Sequence, residues 1–249
     1  MSDPGVDDVR RGARFGARAV LTAAAVGLVA VPFSLLLLSV EAQWPPLLHA
    51  DQAARDDLHA FALTHAGFVT VMETLSTVGM WWAYLIAFAL VLGWLLWRRL
   101  VRSALFVVVT VGGSGLLNEV VKAAVHRARP VLADPVAHET GTSFPSGHAQ
   151  GAMVGYAVLL LVFLPVLRGA ARPIAITAAA LMVLAIGFSR VALGLHYVSD
   201  VLAGYVLGAA WLAAMIASFN TWRHERERAP ADPAHGSEPE NGPPVDPPG

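Results

Sequence analysis

No cysteine occurs anywhere in the 249 residues, so disulfides, thiolate nucleophiles and thiolate metal sites are all excluded. Charge is scarce as well: Asp, Glu, Lys and Arg make up 14% of the chain, against about 25% in a soluble domain. Lysine occurs once, as Lys122, and the remaining basic residues are arginines. The formal net charge is -1, which gives no reason to expect nucleic acid as a partner. What is abundant is apolar: 56% of the residues are hydrophobic, with a mean hydropathy of +0.58. A membrane protein is the class this composition implies, with the lipid bilayer as its surroundings.

Six stretches are long and nearly free of charge: Ala19 to Val40, Thr74 to Trp97, Ser103 to Asn118, Ala149 to Leu167, Pro173 to Ser189 and Val201 to Trp222. A helix crossing the hydrocarbon layer needs roughly 20 apolar residues, so each is a candidate span, the third borrowing residues beyond Asn118. The fold class expected is all-α, a six-span transmembrane bundle. The first stretch follows Arg10, Arg11, Arg14 and Arg18, but it is too long for the apolar core of a signal peptide and reads as an anchor.

Arginine placement sets the expected orientation, because cytoplasmic loops collect Lys and Arg. With the N-terminus inside, the cytoplasmic segments hold Arg10, Arg11, Arg14 and Arg18, then Arg98, Arg99 and Arg102, then Arg168 and Arg172, then Arg223, Arg226 and Arg228. Arg55, Lys122, Arg127, Arg129 and Arg190 fall on the outer side, four of them within the motifs below. The organisation expected is a cytoplasmic segment 1–18, a membrane domain 19–222 and a cytoplasmic tail 223–249. The end of that tail, from Ala229 to Gly249, is rich in Pro, Gly and acids and reads as disordered. Between the first two spans, Leu58, Phe61 and Phe68 recur at helical spacing, so 51–68 reads as a short interfacial helix.

Polar residues at membrane depth or at helix ends are costly, so each that sits there needs a reason. Three clusters stand out, all on the expected outer side. Lys122-Ala-Ala-Val-His126-Arg127-Ala-Arg129-Pro130 closes the third span. Alone it would be interfacial snorkelling, with Lys122 paired to Glu119, yet it gathers positive charge against the positive-inside trend. Phe144-Pro145-Ser146-Gly147-His148 opens the fourth span. Alone it is an ordinary helix start capped by Ser146, but free N–H groups at a helix N-terminus also bind anions, and Gly147 lets one approach the main chain beside His148. In the third cluster, Ser189-Arg190-Val-Ala-Leu-Gly194-Leu-His196-Tyr-Val-Ser-Asp200, a helix would put His196 and Asp200 on one side, where the carboxylate accepts the imidazole N–H. Together the clusters supply positive charge, helix N–H donors and an acid/base pair at one membrane face. Phosphoryl transfer needs little beyond charge stabilisation and in-line placement.

At these residues the sequence resembles the type 2 phosphatidic acid phosphatases (PAP2). That family's pattern is a lysine, six residues, then Arg-Pro; a Pro-Ser-Gly-His; and Ser-Arg, five residues, His, three residues, Asp. It is met here by Lys122 with Arg129-Pro130, by Pro145-Ser146-Gly147-His148, and by Ser189-Arg190 with His196 and Asp200. The resemblance covers roughly Lys122 to Asp200 and implies a lipid phosphatase; no cluster offers the three or four ligands of a catalytic metal, so no cofactor is expected, and the arginine placement puts the site at the extracytoplasmic face. The resemblance assigns His196 as nucleophile, Asp200 as its orienting partner and His148 as general acid, with Lys122, Arg129, Arg190, Ser146 and Gly147 on the phosphoryl oxygens. Which histidine attacks follows from the resemblance alone.

The other polar residues have plainer readings. His49, His59, His65 and His138 are dispersed and lack metal-ligand spacing, which makes them surface residues. His126 and Arg127 lie inside the first motif but off its fixed positions and are read as tuning substrate binding. Glu73 and Asn118 read as helix-end polar groups. Two other functions compete: a non-catalytic lipid-phosphate binding or transport relative, against which the intact His148, His196 and Asp200 argue, and a vanadate-dependent haloperoxidase-like enzyme, against which the spans argue. The substrate expected is a membrane lipid phosphate or diphosphate, with no obligate protein partner.

Overall fold

The computed structural model describes residue 27 and residues 30–228, with the side chains of 220–228 excepted. Among these residues the chain is helical throughout, without strands: α1 (Ala30–Glu41), α2 (Pro45–Thr64), α3 (Ala66–Val78), α4 (Trp81–Trp97), α5 (Val101–Val125), α6 (Gly147–Phe163), α7 (Ala171–Ala192) and α8 (Val198–Arg228). Of the expected cytoplasmic N-terminal segment, first span and cytoplasmic tail, residues 1–26, 28, 29 and 229–249 lie outside the described residues.

Three helices are long and apolar enough to cross a membrane, at Val101–Val125, Ala171–Ala192 and Val198–Phe219, and a bent pair makes up to four. The bent pair replaces the expected single span from Thr74 to Trp97. Met80 is extended (φ -71, ψ 149), so α3 stops at Val78 and α4 restarts at Trp81, turned by 46°. Two further apolar helices, Ala30–Glu41 and Gly147–Phe163, are shorter than a span requires. Six spans are therefore not what length and composition of the described helices give. α8 runs on past Trp222, the expected end of the last span, to Arg228.

The expected interfacial helix also differs in extent. Pro45 fits the first turn, where a missing N–H costs nothing, and starts α2 six residues early. His65 leaves the helical region (φ -132, ψ 77) and separates α2 from α3 before Phe68. The stripe Leu58, Phe61, Phe68 is thus split between two helices, though Phe61 and Phe68 still meet edge to face with ring centroids 5.0 Å apart. Leu58 packs over Val191 and Val201, fastening α2 to the start of α8.

Polarity is distributed in the reverse of a water-soluble bundle. Leu85, Leu90, Leu116 and Leu181 are exposed on outer helix faces, while Asp51, Asn118, Gln150, Arg190, His196 and Asp200 are buried. In water such a surface would aggregate; in hydrocarbon it is the arrangement that leaves no polar group facing lipid. The protein is accordingly a membrane-embedded helical bundle. One core joins Phe88, Val91 and Leu95 of α4 to Ala104 and Val107 of α5 and to Val154 and Val158 of α6. Helices in lipid gain little from apolar burial against one another and associate where small residues admit close backbone contact. Gly204 and Gly208, four apart on α8, provide this against α6: a Cβ at 204 would lie 2.6 Å from the Ser146 carbonyl oxygen, and one at 208 would lie 3.1 Å from that of Gln150.

Candidate active site

All three sequence clusters meet at one end of the bundle, formed by the end of α5, the start of α6 and the turn from α7 to α8. α5 ends after Val125 because His126 takes a left-handed conformation (φ 51), which leaves Lys122 in the last turn and sends 126–146 across the bundle end as a loop. α6 begins at Gly147, with Ser146 as its cap accepting from the Ala149 N–H at 3.4 Å. The Ser146 N–H donates to the Asp200 carbonyl at 2.9 Å, so the main chain itself joins the anion-facing helix start to α8.

α7 ends in a tight reversal. Gly194 takes φ +70, a conformation that costs other residues, and the N–H groups of Leu195 and His196 both return to the Arg190 carbonyl, at 3.0 and 3.2 Å. This turn brings the His196 side chain under the loop 126–146, where it is 1% exposed. Arg129 donates to its Nε2 at 3.1 Å and to the Leu195 carbonyl at 2.9 Å. A guanidinium offers only donors, so Nε2 carries the lone pair and Nδ1 the proton. Nδ1 faces Asp200 Oδ2 at 3.4 Å, close enough to pair but not aligned as a hydrogen bond, as is common before substrate tightens a site. Burial pushes the His196 imidazole down to about 4, against the pull of Asp200 and with the help of Arg190 and Arg129, so it is a neutral base near pH 7.

Arg190 is 2% exposed; it donates to Ser76 Oγ of α3 at 2.5 Å and pairs with Glu139. Glu139 also holds Arg129, at 3.0 Å. A loop carboxylate thus occupies two of the cations expected to hold a phosphoryl group. Lys122 lies 3.8 Å from Glu119 and is close enough to Arg129 and Arg190 for their charges to interact. His148 is within electrostatic reach of His196, Lys122 and Arg129, and its Nε2 is buried without a hydrogen-bond partner among the described residues.

Two cavities adjoin at Lys122. One, of about 590 Å³, runs between α4, α5 and α6 and is lined largely by apolar side chains such as Trp81, Leu85, Phe88 and Val108, with Lys122, Gly147 and His148 at its polar end. The other, of about 370 Å³, opens under the loop and is lined by Lys122, His126, Arg129, Glu139 and Thr142 among others; Glu119 and Lys122 border both.

The expected site residues Lys122, Arg129, Ser146, Gly147, His148, Arg190, His196 and Asp200 therefore gather in one place. Arg127 does not face the cavities' cationic wall. It donates to Asp200 Oδ1 at 2.5 Å, to Ser199 Oγ at 2.7 Å and to Asp51 Oδ2 at 2.9 Å. Asn118, expected at a helix end, is buried and donates to Gln150 at 2.7 Å, and Gln150 donates on to Ser114 Oγ at 2.9 Å. His49, His65 and His138 are exposed as expected, and His59 is half-buried; Glu73, expected at a helix end, is exposed in the middle of α3. No group of three or more His, Asp or Glu able to hold a metal occurs among the described residues.

The family model of the PAP2 superfamily matches residues 101–224, the part of the chain that builds this site, and the chain belongs to that superfamily. It is 41% identical over 109 residues to phosphatidylglycerophosphatase B of Bacillus subtilis, an alignment covering 43% of this chain and 53% of that protein. Lipid A 1-phosphatase of Rhizobium johnstonii is 37% identical over 117 residues, covering 43% of this chain and 44% of the relative. The chain thus spans about half the length of the curated relatives it matches. Among solved structures, that of a transmembrane PAP2-type phosphatidylglycerolphosphate phosphatase from Bacillus subtilis superposes with a TM-score of 0.67 at 28% identity, over 77% of this chain and 96% of that one.

Proposed function

We propose that the protein hydrolyses lipid phosphomonoesters or diphosphates through a phosphohistidine intermediate, without a metal, at the extracytoplasmic face of a six-span membrane domain with both termini cytoplasmic. The observation that carries this reading is the pair of cavities sharing Lys122. An apolar space bordered by the same Lys122 as a cationic one fits an amphiphile whose phosphate sits at the boundary. In this reading the His196 Nε2 lone pair attacks phosphorus while the bond to the lipid oxygen breaks, and His148, which burial and the neighbouring cations hold down to about 4 and which the charge of an arriving phosphate would raise, gives that oxygen its proton. Water then attacks the phosphohistidine, His148 takes a proton from it, the P–N bond breaks, and inorganic phosphate leaves. Asp200 faces the proton on Nδ1 and offsets the positive charge that the ring acquires. Lys122, Arg129 and Arg190, with Ser146 and Gly147 at the α6 N-terminus, stabilise the phosphoryl oxygens.

Phosphatidylglycerol phosphate is the first substrate to try, since the curated relative and the solved structure from Bacillus subtilis both carry that activity in their names. Phosphate release from the purified chain in detergent is measured with phosphatidylglycerol phosphate, phosphatidic acid, undecaprenyl diphosphate and water-soluble glycerol phosphate. Release from one or more lipids, well above that from glycerol phosphate, is expected. Equal turnover of glycerol phosphate would remove the lipid from the reading, and binding without release from any of the panel would leave a lipid-phosphate receptor.

A further inference from the structure

Asp200 has two oxygens with separate duties. Oδ2 accepts the Tyr197 N–H at 2.9 Å and faces His196 Nδ1, whereas Oδ1 is taken by Arg127. Arg127 is itself gripped from the far side by Asp51 of α2, at 2.9 Å, and its guanidinium lies 4.3 Å above the Tyr197 ring centroid. Ser199 closes the clamp, donating its N–H to Asp51 Oδ1 at 3.0 Å and its hydroxyl to Asp51 Oδ2 at 2.5 Å. Asp51, Ser199 and Asp200 are each no more than 2% exposed, so water supplies no substitute for any of these bonds.

We infer that Arg127, clamped by Asp51, is a positioning residue for the reacting histidine: it fixes the carboxylate of Asp200 so that a single oxygen is presented to His196 Nδ1. The inference rests on the nucleophile role proposed above. With Oδ1 occupied, the carboxylate cannot rotate, and the imidazole has one orientation in which its proton is accepted. The charges matter too. One cation shared by two buried carboxylates leaves a single negative charge beside the ring, which balances the positive charge that develops on His196 during phosphoryl transfer. Without Asp51, Arg127 would neutralise Asp200 alone, and the ring would face a weakened acceptor. The sequence reading of Arg127 as a substrate-tuning group is not what this geometry favours.

The test uses the full chain in detergent with a lipid phosphate that it hydrolyses, and the variants Arg127→Gln, Arg127→Lys and Asp51→Asn. None of these side chains lies where substrate would touch it, so kcat should fall with KM unchanged, by roughly 10–100-fold if the effect resembles loss of the groups that orient metal-ligating histidines. The charged groups around the ring are Asp200 on α8, Arg190 on α7, His148 on α6, Asp51 on α2, and Arg127, Arg129 and Glu139 on the loop. Removing one cation from this set in Arg127→Gln should move the acid limb of kcat/KM to higher pH. Arg127→Lys keeps the charge without the fork and should leave the limb in place while kcat stays low. A raised KM with unchanged kcat in Arg127→Gln would make it a substrate-binding group, and a fall in kcat with the limb unmoved would make it structural only; either overturns the inference. Should Arg127→Gln fail to fold, Arg127→Lys and Asp51→Asn decide it: unchanged kcat in both overturns it. His196→Ala separates the two claims, because turnover by that variant removes the nucleophile reading itself, whereas a silent His196→Ala beside unaffected Arg127 variants removes only the clamp.

Discussion

Arg129 donates to the one nitrogen of His196 that carries a lone pair, at 3.1 Å. The contact is a resting one, since Nε2 is blocked while it lasts. An arriving phosphoryl group would draw the guanidinium from nitrogen to oxygen and uncover the base in the same movement. Arg129 should therefore affect both binding and chemistry. Arg129→Lys, which retains charge but not the planar fork, is expected to raise KM and lower kcat together. Steady-state kinetics on a lipid phosphate checks this, and a change confined to KM would show that the guanidinium does not govern access to Nε2.

Glu139 holds Arg129 and Arg190 where a phosphate is expected. An incoming anion must displace it. Glu139→Gln should therefore strengthen inhibition by vanadate or inorganic phosphate by about tenfold, equivalent to about 1.4 kcal/mol. Weaker inhibition in that variant would mean that Glu139 organises the arginines rather than competing for them.

Burial sets the pH behaviour of His196. Its folded value of about 4 lies below the ordinary 6.5, so the fold favours the neutral ring. The unfolded chain binds more protons between these values, and stability from this group is full above about 6.5 and lost as pH falls toward about 4. If His196 is the nucleophile it must be neutral, and the acid limb of kcat/KM should fall near pH 4 to 5. A limb at the ordinary histidine value would mean the ring is solvated in the working enzyme.

The two histidines are separable by leaving group. His196→Ala should abolish turnover of every substrate. General-acid catalysis contributes about 10²–10⁴-fold and matters most for a poor leaving group, so His148→Ala should cripple hydrolysis of an alkyl lipid phosphate yet spare much of the nitrophenolate burst from p-nitrophenyl phosphate. A burst lost in His148→Ala and kept in His196→Ala would exchange the roles.

Metal independence is tested by chelation: activity should survive EDTA, because Lys122, Arg129 and Arg190 already supply the charge that a metal would. Loss of turnover restored by magnesium or zinc would sink that mechanism. Orientation is tested with single cysteines in this cysteine-free chain. Position 134 should label with an impermeant reagent in intact cells and position 170, at the opposite end of the bundle, should not.

The site was legible where chemistry is written as spacing. Ser146-Gly147-His148 at a helix start could be read because local geometry fixes what they face; His196 and Asp200, four apart, do meet, but His196 lies in the turn before α8 and not on the helix expected, and the Gly194 reversal carries it there. The clamp could not, since Asp51 and Arg127 are 76 residues apart and meet only through packing of α2. One signal was available: Asp51 lies at helical spacing from Leu47, Leu58 and Ala62, an acid within the face that α2 buries. Glu139 left no such trace, because a loop acid's partner depends on how the loop crosses the bundle. The broken second span was missed for a related reason. Hydropathy is continuous from Thr74 to Trp97, and only the extended backbone at Met80 divides it.

The close seating of α8 on α6 has a mechanical corollary. Gly204 brings α8 within van der Waals reach of the main chain at Ser146, so the helix N-terminus that would face the phosphate and the helix that carries Asp200 behave as one stiff body. In the proposed reaction, entry of a lipid and departure of its dephosphorylated product would then be accommodated on the opposite wall. That wall consists of α4, with Gly79 at the break before it, and of α5 from Val107 to Lys122, which border the apolar cavity. Chemistry and traffic would in this way fall to different mechanical parts, and substitutions on the lipid-facing side of α4 should alter exchange of lipid before they disturb the reacting groups; α3 is not free in this sense, since Ser76 holds Arg190.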